Sequence, residues 1–234
     1  MEQHLQKKHG LVEKVFNRVF DKYDLMNDLM SLGVHRIWKK DLIMMMSPSK
    51  DTKLIDVACG TGDIGNLFLK NTSYSGNVFN VDSNINMIKQ GKKKFQNVKN
   101  LNWNVSSAEN LNFKSNIFDY YTISFGLRNT KDINKSLSEA YRVLKTGGRY
   151  LCLEFSKIEN QNLDFLYKYY SKIIPHIGKF VVGEREPYDY LVQSIEKFLN
   201  QEQLIDCMKK NGFVNCKYRN LSGGIVAIHS GWKV

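Results

Sequence analysis

From Leu11 to Met46 apolar residues recur every three or four positions, with Val15, Val19, Tyr23, Met26 and Met30 on one stripe and polar residues between them. That period predicts an amphipathic helical extension at the N-terminus. Ser47-Pro48-Ser49 breaks it, and from Lys53 the run LIDVA opens a strand that ends in CGTGD. Thereafter the two periods alternate. NVFNVD (77–82), LNWNVSS (101–107), IFDYYTISF (117–125) and GRYLCLEFS (148–156) read as strands, and INMIKQGKKKFQ (85–96) and INKSLSEAYRVLK (133–145) as helices. Strands alternating with helices predict a parallel sheet covered on both faces.

Residues 163–200 leave that rhythm. LDFLYKYYSKIIPHIGKFVVG is rich in aromatics and interrupted by Pro175 and Gly178, which predicts a helical insertion or lid. The helix EQLIDCMKKNG stops at Gly212, and FVNCKYRNL and IVAIHSGWKV follow as two strands joined through Ser222-Gly223-Gly224. Such a hairpin needs an antiparallel pair. The expected class is therefore α/β, a Rossmann-like seven-stranded sheet with an antiparallel C-terminal hairpin, the ground plan of class I S-adenosylmethionine (SAM) methyltransferases. One domain is expected over 1–234, divided into a helical extension (1–47), a cofactor-binding core (48–160), a lid or substrate insertion (161–200) and a C-terminal helix and hairpin (201–234).

Gly60-Thr61-Gly62-Asp63-Ile64-Gly65 matches GxGxxG after a strand, and Asp82 ends the next strand. This spacing fits NAD as well as SAM. Charge separates them: Asp63 in the first turn of the following helix and Asp56 just before the loop would repel a diphosphate, whereas the sulfonium and ammonium of SAM favour acids. Asp82 can accept both ribose hydroxyls. Ligands of open α/β sheets lie beyond the carboxyl ends of the strands, which places the backbone of Ser107 and Ala108 at the adenine and Ser124 at the methionine side. Asp56, Gly60, Thr61, Gly62, Asp82, Ser107, Ala108 and Ser124 are the expected cofactor residues.

Composition changes the picture little. With 42% hydrophobic and 24% charged residues the chain is a folded globular protein. The net charge of +11 invites a nucleic-acid reading, but 27 of the 34 cationic residues are Lys and 23 residues are Asn, a skew that drift in base composition produces on exposed positions. Cys59, Cys152, Cys207 and Cys216 form no C-x-x-C pair, so neither disulfides nor a metal site is expected. MEQHLQKKHG lacks the apolar run of a signal peptide, and no window reaches a membrane span, so the expected location is cytoplasmic, peripheral at the inner face of the membrane.

KYDLMNDLMSLGVHRIWK (22–39), DVACGTGD (56–63), ISFGLRN (123–129), YRVLKTGGR (141–149), LEFSK (153–157) and NLSGGIVAIHSGWK (220–233) together resemble the ubiquinone/menaquinone biosynthesis C-methyltransferases over about Val15 to Lys233. The resemblance implies SAM-dependent C-methylation of a polyprenylated benzoquinol or naphthoquinol, demethylmenaquinol or 2-methoxy-6-polyprenyl-1,4-benzoquinol. Two departures are visible. Cys59 stands where that loop has Gly or Ala, and Leu199 where a Pro is common.

A quinol hydroxyl resembles Tyr with a pKa of ~10, so its phenolate costs about 4 kcal/mol at pH 7. Arg128, just after the strand that points at the methyl group, is the expected stabiliser. The proton acceptor is left between a water held by Asn129, Tyr23 and Asp24 and the side chain of His35. Expected partners are the lipid-soluble quinol, a membrane surface, and a second copy of the chain or a quinone-biosynthesis complex. Nucleic acid is not expected: an Asn/Asp-Pro-Pro-aromatic motif is absent after the fourth strand, although a methyltransferase for another small molecule or RNA, and a binding module without turnover, stay as alternatives.

Overall fold

The computed structural model describes Asp28, Ser31, residues 33–167, Tyr170 and residues 186–234. Within these, α1 (His35–Met46) precedes β1 (Lys53–Val57), α2 (Asp63–Asn71), β2 (Asn77–Asp82), α3 (Ile85–Lys94), β3 (Leu101–Val105) and β4 (Phe118–Ser124). Then come α4 (Ile133–Val143), β5 (Leu144–Phe155), α5 (Glu186–Lys197), α6 (Gln201–Lys210), β6 (Val214–Leu221) and β7 (Val226–Trp232). The seven strands form one sheet in the order β3-β2-β1-β4-β5-β7-β6. Parallel pairing runs from β3 to β5, and β7 lies antiparallel between β5 and β6. All seven expected strands are present, hairpin included.

The central strands read as apolar runs because both their faces are covered. On one face Trp38, Leu42 and Met46 of α1, Phe68 of α2 and Leu191 of α5 pack on Leu54, Val78 and Leu151. On the other, Leu137 and Ala140 of α4 and Leu204 and Met208 of α6 pack on Ile55, Val81 and Tyr150. Helix ends are set locally. Asn84 caps α3 by accepting from the amides of Asn86 and Met87, Asp132 caps α4, and Asn200 with Gln203 forms a capping box on α6.

Boundaries differ from the sequence reading in two places. The helical pattern over 11–46 is not one helix where it is described, because Gly33 (φ +78°) turns the chain and α1 starts afresh at His35. β5 begins at Leu144, four residues before its apolar run, since Leu144 already pairs with Phe118 across an irregular register. Beyond β7, Lys233 donates to Asn116 Oδ1 (2.7 Å) and to the carbonyls of Tyr141 and Leu144 (both 2.8 Å), tying the end of the sheet to the C-terminus of α4.

Trp103 links the edge strand to the glycine loop. A Cβ at Gly91 would lie 2.3 Å from two of its ring carbons and 3.0 Å from the Thr61 carbonyl, and a Cβ at Gly62 would lie 2.5 Å from the ring. Gly91→Ala therefore sets a helix-propensity gain of about 1 kcal/mol against overpacking of roughly 1–3 kcal/mol. The clash is expected to win, lowering the thermal midpoint by several degrees at about 2–4 °C per kcal/mol. Calorimetry on the variant checks this, and an unchanged or raised midpoint would show that the ring yields freely.

Candidate active site

The strand order reverses between β1 and β4, and a cavity opens there beyond the carboxyl ends of β1 to β4. Its walls come from Val57, Ala58 and Gly60 after β1, Asp82 to Asn84 and Met87 after β2, Ser106 to Glu109 after β3, and Phe125, Gly126 and Asn129 to Lys131 after β4. Two wall residues that are not glycine, Ala58 (φ +51°) and Phe125 (φ +57°), adopt left-handed backbone. Such strain gathers at functional sites. It lets the loops after β1 and β4 approach so closely that a Cβ on Gly126 would lie 2.3 Å from the Cβ of Ala58.

Asp82 is the fixed point of the cavity. Its Oδ2 accepts from the Gly60 amide (2.9 Å) and its Oδ1 from the Asn84 amide (2.8 Å), which leaves further lone pairs on both oxygens. Burial pushes its carboxyl above the ordinary range, and the two amides oppose that. Ser107 and Ala108 line the same wall, with Ser107 bridging to Asn110 as the chain leaves β3. Three buried oxygens, Ser106 Oγ, Ser124 Oγ and Asp56 Oδ2, have no hydrogen-bond partner among the described residues.

The other expected residues stand behind the wall. Thr61 Oγ1 accepts from Lys94 Nζ (3.3 Å), and Gly62 (φ +85°) caps α2 under Trp103. Asp56 is buried with its Oδ1 accepting from Thr122 Oγ1 (2.7 Å). Arg128 is 6% exposed. Its Nη1 lies 2.6 Å from Glu154 Oε1 and donates to the Phe125 carbonyl (2.6 Å), and its Nε donates to Ser194 Oγ (3.3 Å). Of the two adjacent residues only Asn129 lines the cavity. His35 is buried in α1, away from that wall, with Nε2 2.9 Å from Asp28 Oδ1. Burial, and then the Lys39 charge, lower its pKa. Tyr23 and Asp24 lie outside the described residues.

One charge argument changes. Asp63 does not present a bare carboxylate to the helix N-terminus, because Lys39 Nζ (2.8 Å) and Lys94 Nζ (2.9 Å) hold its two oxygens. Both lysines outweigh its burial and keep its pKa well below the usual carboxylate range. Asp63 therefore does not by itself exclude a diphosphate. Among the described residues, the acids at the cavity are Asp82 and Glu109 on the wall and Asp56 buried behind it. Glu154, Asn84, Ser106 and Tyr190, whose hydroxyl donates to Asn129 Oδ1 (3.1 Å), were not singled out from sequence. Glu154 alone carried a signal, as an acid inside the apolar run LCLEF.

Residues 2–233 match the model of the ubiE/COQ5 methyltransferase family. The chain belongs to that family. It is 50% identical to the ubiquinone/menaquinone biosynthesis C-methyltransferase UbiE of Rickettsia akari (strain Hartford) and 49% identical to that of Rickettsia prowazekii (strain Madrid E), each over 97% of this chain and 94% of the relative. Among solved structures, a SAM-dependent methyltransferase from Thermotoga maritima aligns with a TM-score of 0.67 at 20% identity, covering 95% of this chain and 99% of that one. The CurJ carbon methyltransferase aligns at 0.69 and 15%, covering 94% and 61%. At these identities the likeness is one of fold. The ubiE/COQ5 family uses SAM, and the site fits it: paired oxygens at Asp82 for a diol, the unpartnered Ser106 hydroxyl for a polar ligand, and acids for a cation.

Asp56 gives the site a pH dependence. Burial raises its pKa to about 7, with the Asp63 and Asp82 charges adding to the rise and Thr122 and Lys39 opposing it. Between about pH 4, where the unfolded carboxyl ionises, and about pH 7, the native ligand-free protein keeps a proton that the unfolded chain has lost. Stability from this group is thus present at low pH and falls as pH rises through that window. Wild type is expected to lose stability relative to Asp56→Asn between pH 5 and pH 8, read from urea unfolding of both proteins. A difference independent of pH would mean that Asp56 ionises normally.

Proposed function

We propose that this chain is a SAM-dependent C-methyltransferase of ubiquinone and menaquinone biosynthesis, acting on a polyprenylated benzoquinol or naphthoquinol. The observation that carries the reading is family membership over residues 2–233, with half of the residues identical to a curated C-methyltransferase. Asp82 holds the ribose diol, Ser107 and Ala108 border the base, and Asp56, Gly60, Thr61, Gly62 and Ser124 shape the rest of the cofactor seat. When bound, SAM supplies an electrophilic methyl group. The protein must then present a nucleophilic ring carbon.

Asn129 lines the cavity from the turn after β4, and we take it to meet a ring oxygen. A hydrogen bond from its Nδ2 to a developing phenolate contributes about 1.5–3 kcal/mol, part of the roughly 4 kcal/mol that ionisation costs at pH 7. Arg128, with its charge offset by Glu154, acts from behind by holding the turn that carries Asn129. The candidate for accepting the proton is a water held by Asn129, Tyr23 and Asp24, since His35 does not line the cavity.

In a quinone, two carbonyls withdraw density and make the ring carbons electrophilic. Reduction converts them to hydroxyls, and loss of one proton pushes charge onto the adjacent carbon. The reduced form of a short-chain demethylated analogue is therefore expected to be methylated under anaerobic conditions and the oxidised form not, measured by mass spectrometry of the product. Comparable methylation of the oxidised quinone would sink this mechanism.

The substrate's prenyl tail resides in a bilayer, and we infer peripheral contact there. In the helical segment 161–167 Phe165 and Leu166 are exposed, and among the described residues no helix is long and apolar enough to cross a membrane. Apolar side chains at a headgroup boundary favour such contact. Flotation with anionic liposomes should carry the wild type, and Phe165→Ser with Leu166→Ser should reduce the floated fraction. Equal flotation of both proteins would remove these residues from the contact.

A further inference from the structure

We infer that Tyr190 is a positioning residue for methyl transfer: its hydroxyl locks the Asn129 amide with Nδ2 turned into the cavity, to donate to the ring oxygen of the substrate. The inference rests on the quinol reading above and adds a residue that reading does not contain. An asparagine side chain has two ends of opposite character on one rotatable bond. Turned one way it offers an N–H donor to a developing phenolate, and turned the other way a carbonyl that repels it. Asn129 lines the cavity, so which end faces the substrate matters to the chemistry.

In the structure the carbonyl end is the one turned to α5. Tyr190 Oη donates to Asn129 Oδ1 at 3.1 Å, which occupies the carbonyl end. Four residues on, and so on the same face of the helix, Ser194 Oγ accepts from Arg128 Nε at 3.3 Å. One helix thus holds two consecutive residues of the turn after β4. The backbone between them does not drift, because Arg128 is pinned to Glu154 and to the Phe125 carbonyl, both at 2.6 Å. Burial pushes the Tyr190 hydroxyl above its ordinary pKa, against the nearby Arg128 charge, so it stays a neutral phenol able to donate.

A double-mutant cycle tests this with the full-length protein, SAM and the reduced short-chain quinol analogue. Tyr190→Phe removes one hydroxyl and is expected to lower kcat about tenfold, the loss of one oriented hydrogen bond. SAM affinity by calorimetry and the thermal midpoint should stay at wild-type values. In an Asn129→Ala background Tyr190→Phe should have no further effect on kcat, because the amide it orients is gone. Effects that multiply, or a Tyr190→Phe variant with full activity, would overturn the positioning role while leaving the quinol reading intact. So would a drop in SAM affinity or midpoint matching the loss of rate, since that is what general damage to the fold produces. A wild-type protein that binds SAM and methylates no reduced quinol would overturn the quinol reading and this inference with it.

Discussion

The parallel pairing of β1 with β4 is the constraint on which the rest depends. From this pair the sheet grows outward in two directions, through β2 and β3 on one side and β5 on the other, so the chain leaving each strand end must diverge and a crevice is left between them. The pair is tied internally by Thr122 donating to Asp56, neighbours in the register. Its loops are brought together by left-handed Ala58 and Phe125 and by the absence of a side chain at Gly126. Catalytic geometry here follows from strand order first and from side chains second.

Around that crevice the charged groups are sorted by depth. Asp82 faces the cavity on backbone amides, while Asp63 and Arg128 are each neutralised from behind, by Lys39 with Lys94 and by Glu154. Removing one partner from a buried pair leaves an uncompensated charge and costs about 3–5 kcal/mol. The Arg128 pair therefore gives the β4 turn rigidity, and rigidity is what an amide on that turn needs in order to act on a substrate.

The fold was legible because its signals are local. Strand periods, the change of rhythm after Ser47-Pro48-Ser49 and the Gly-Gly turn before β7 each lie within a dozen residues. The glycine loop and Asp82 were legible for the same reason. Pairings across the fold were not. Lys39 meets Asp63 from 24 residues away, Arg128 meets Glu154 from 26 and Tyr190 meets Asn129 from 61, and no period in the sequence encodes those distances. This is why Arg128 read as the group facing the substrate when its neighbour lines the cavity, and why Asp63 read as a bare acid.

The position of β7 has a consequence for biosynthesis. It is the last of the seven strands to be made, yet it sits inside the sheet, covering the long edge of β5 and carrying β6 on its other side. Some seventy residues separate the end of β5 from the start of β7, roughly 4–14 s of translation at ~5–20 residues per second. Throughout that interval the edge of β5 away from β4, Arg149 to Phe155, has no partner strand, and such an open edge is what recruits other chains. The sheet cannot close until Val226–Trp232 arrives, and a nascent chain with β5 already in place carries that open edge until then.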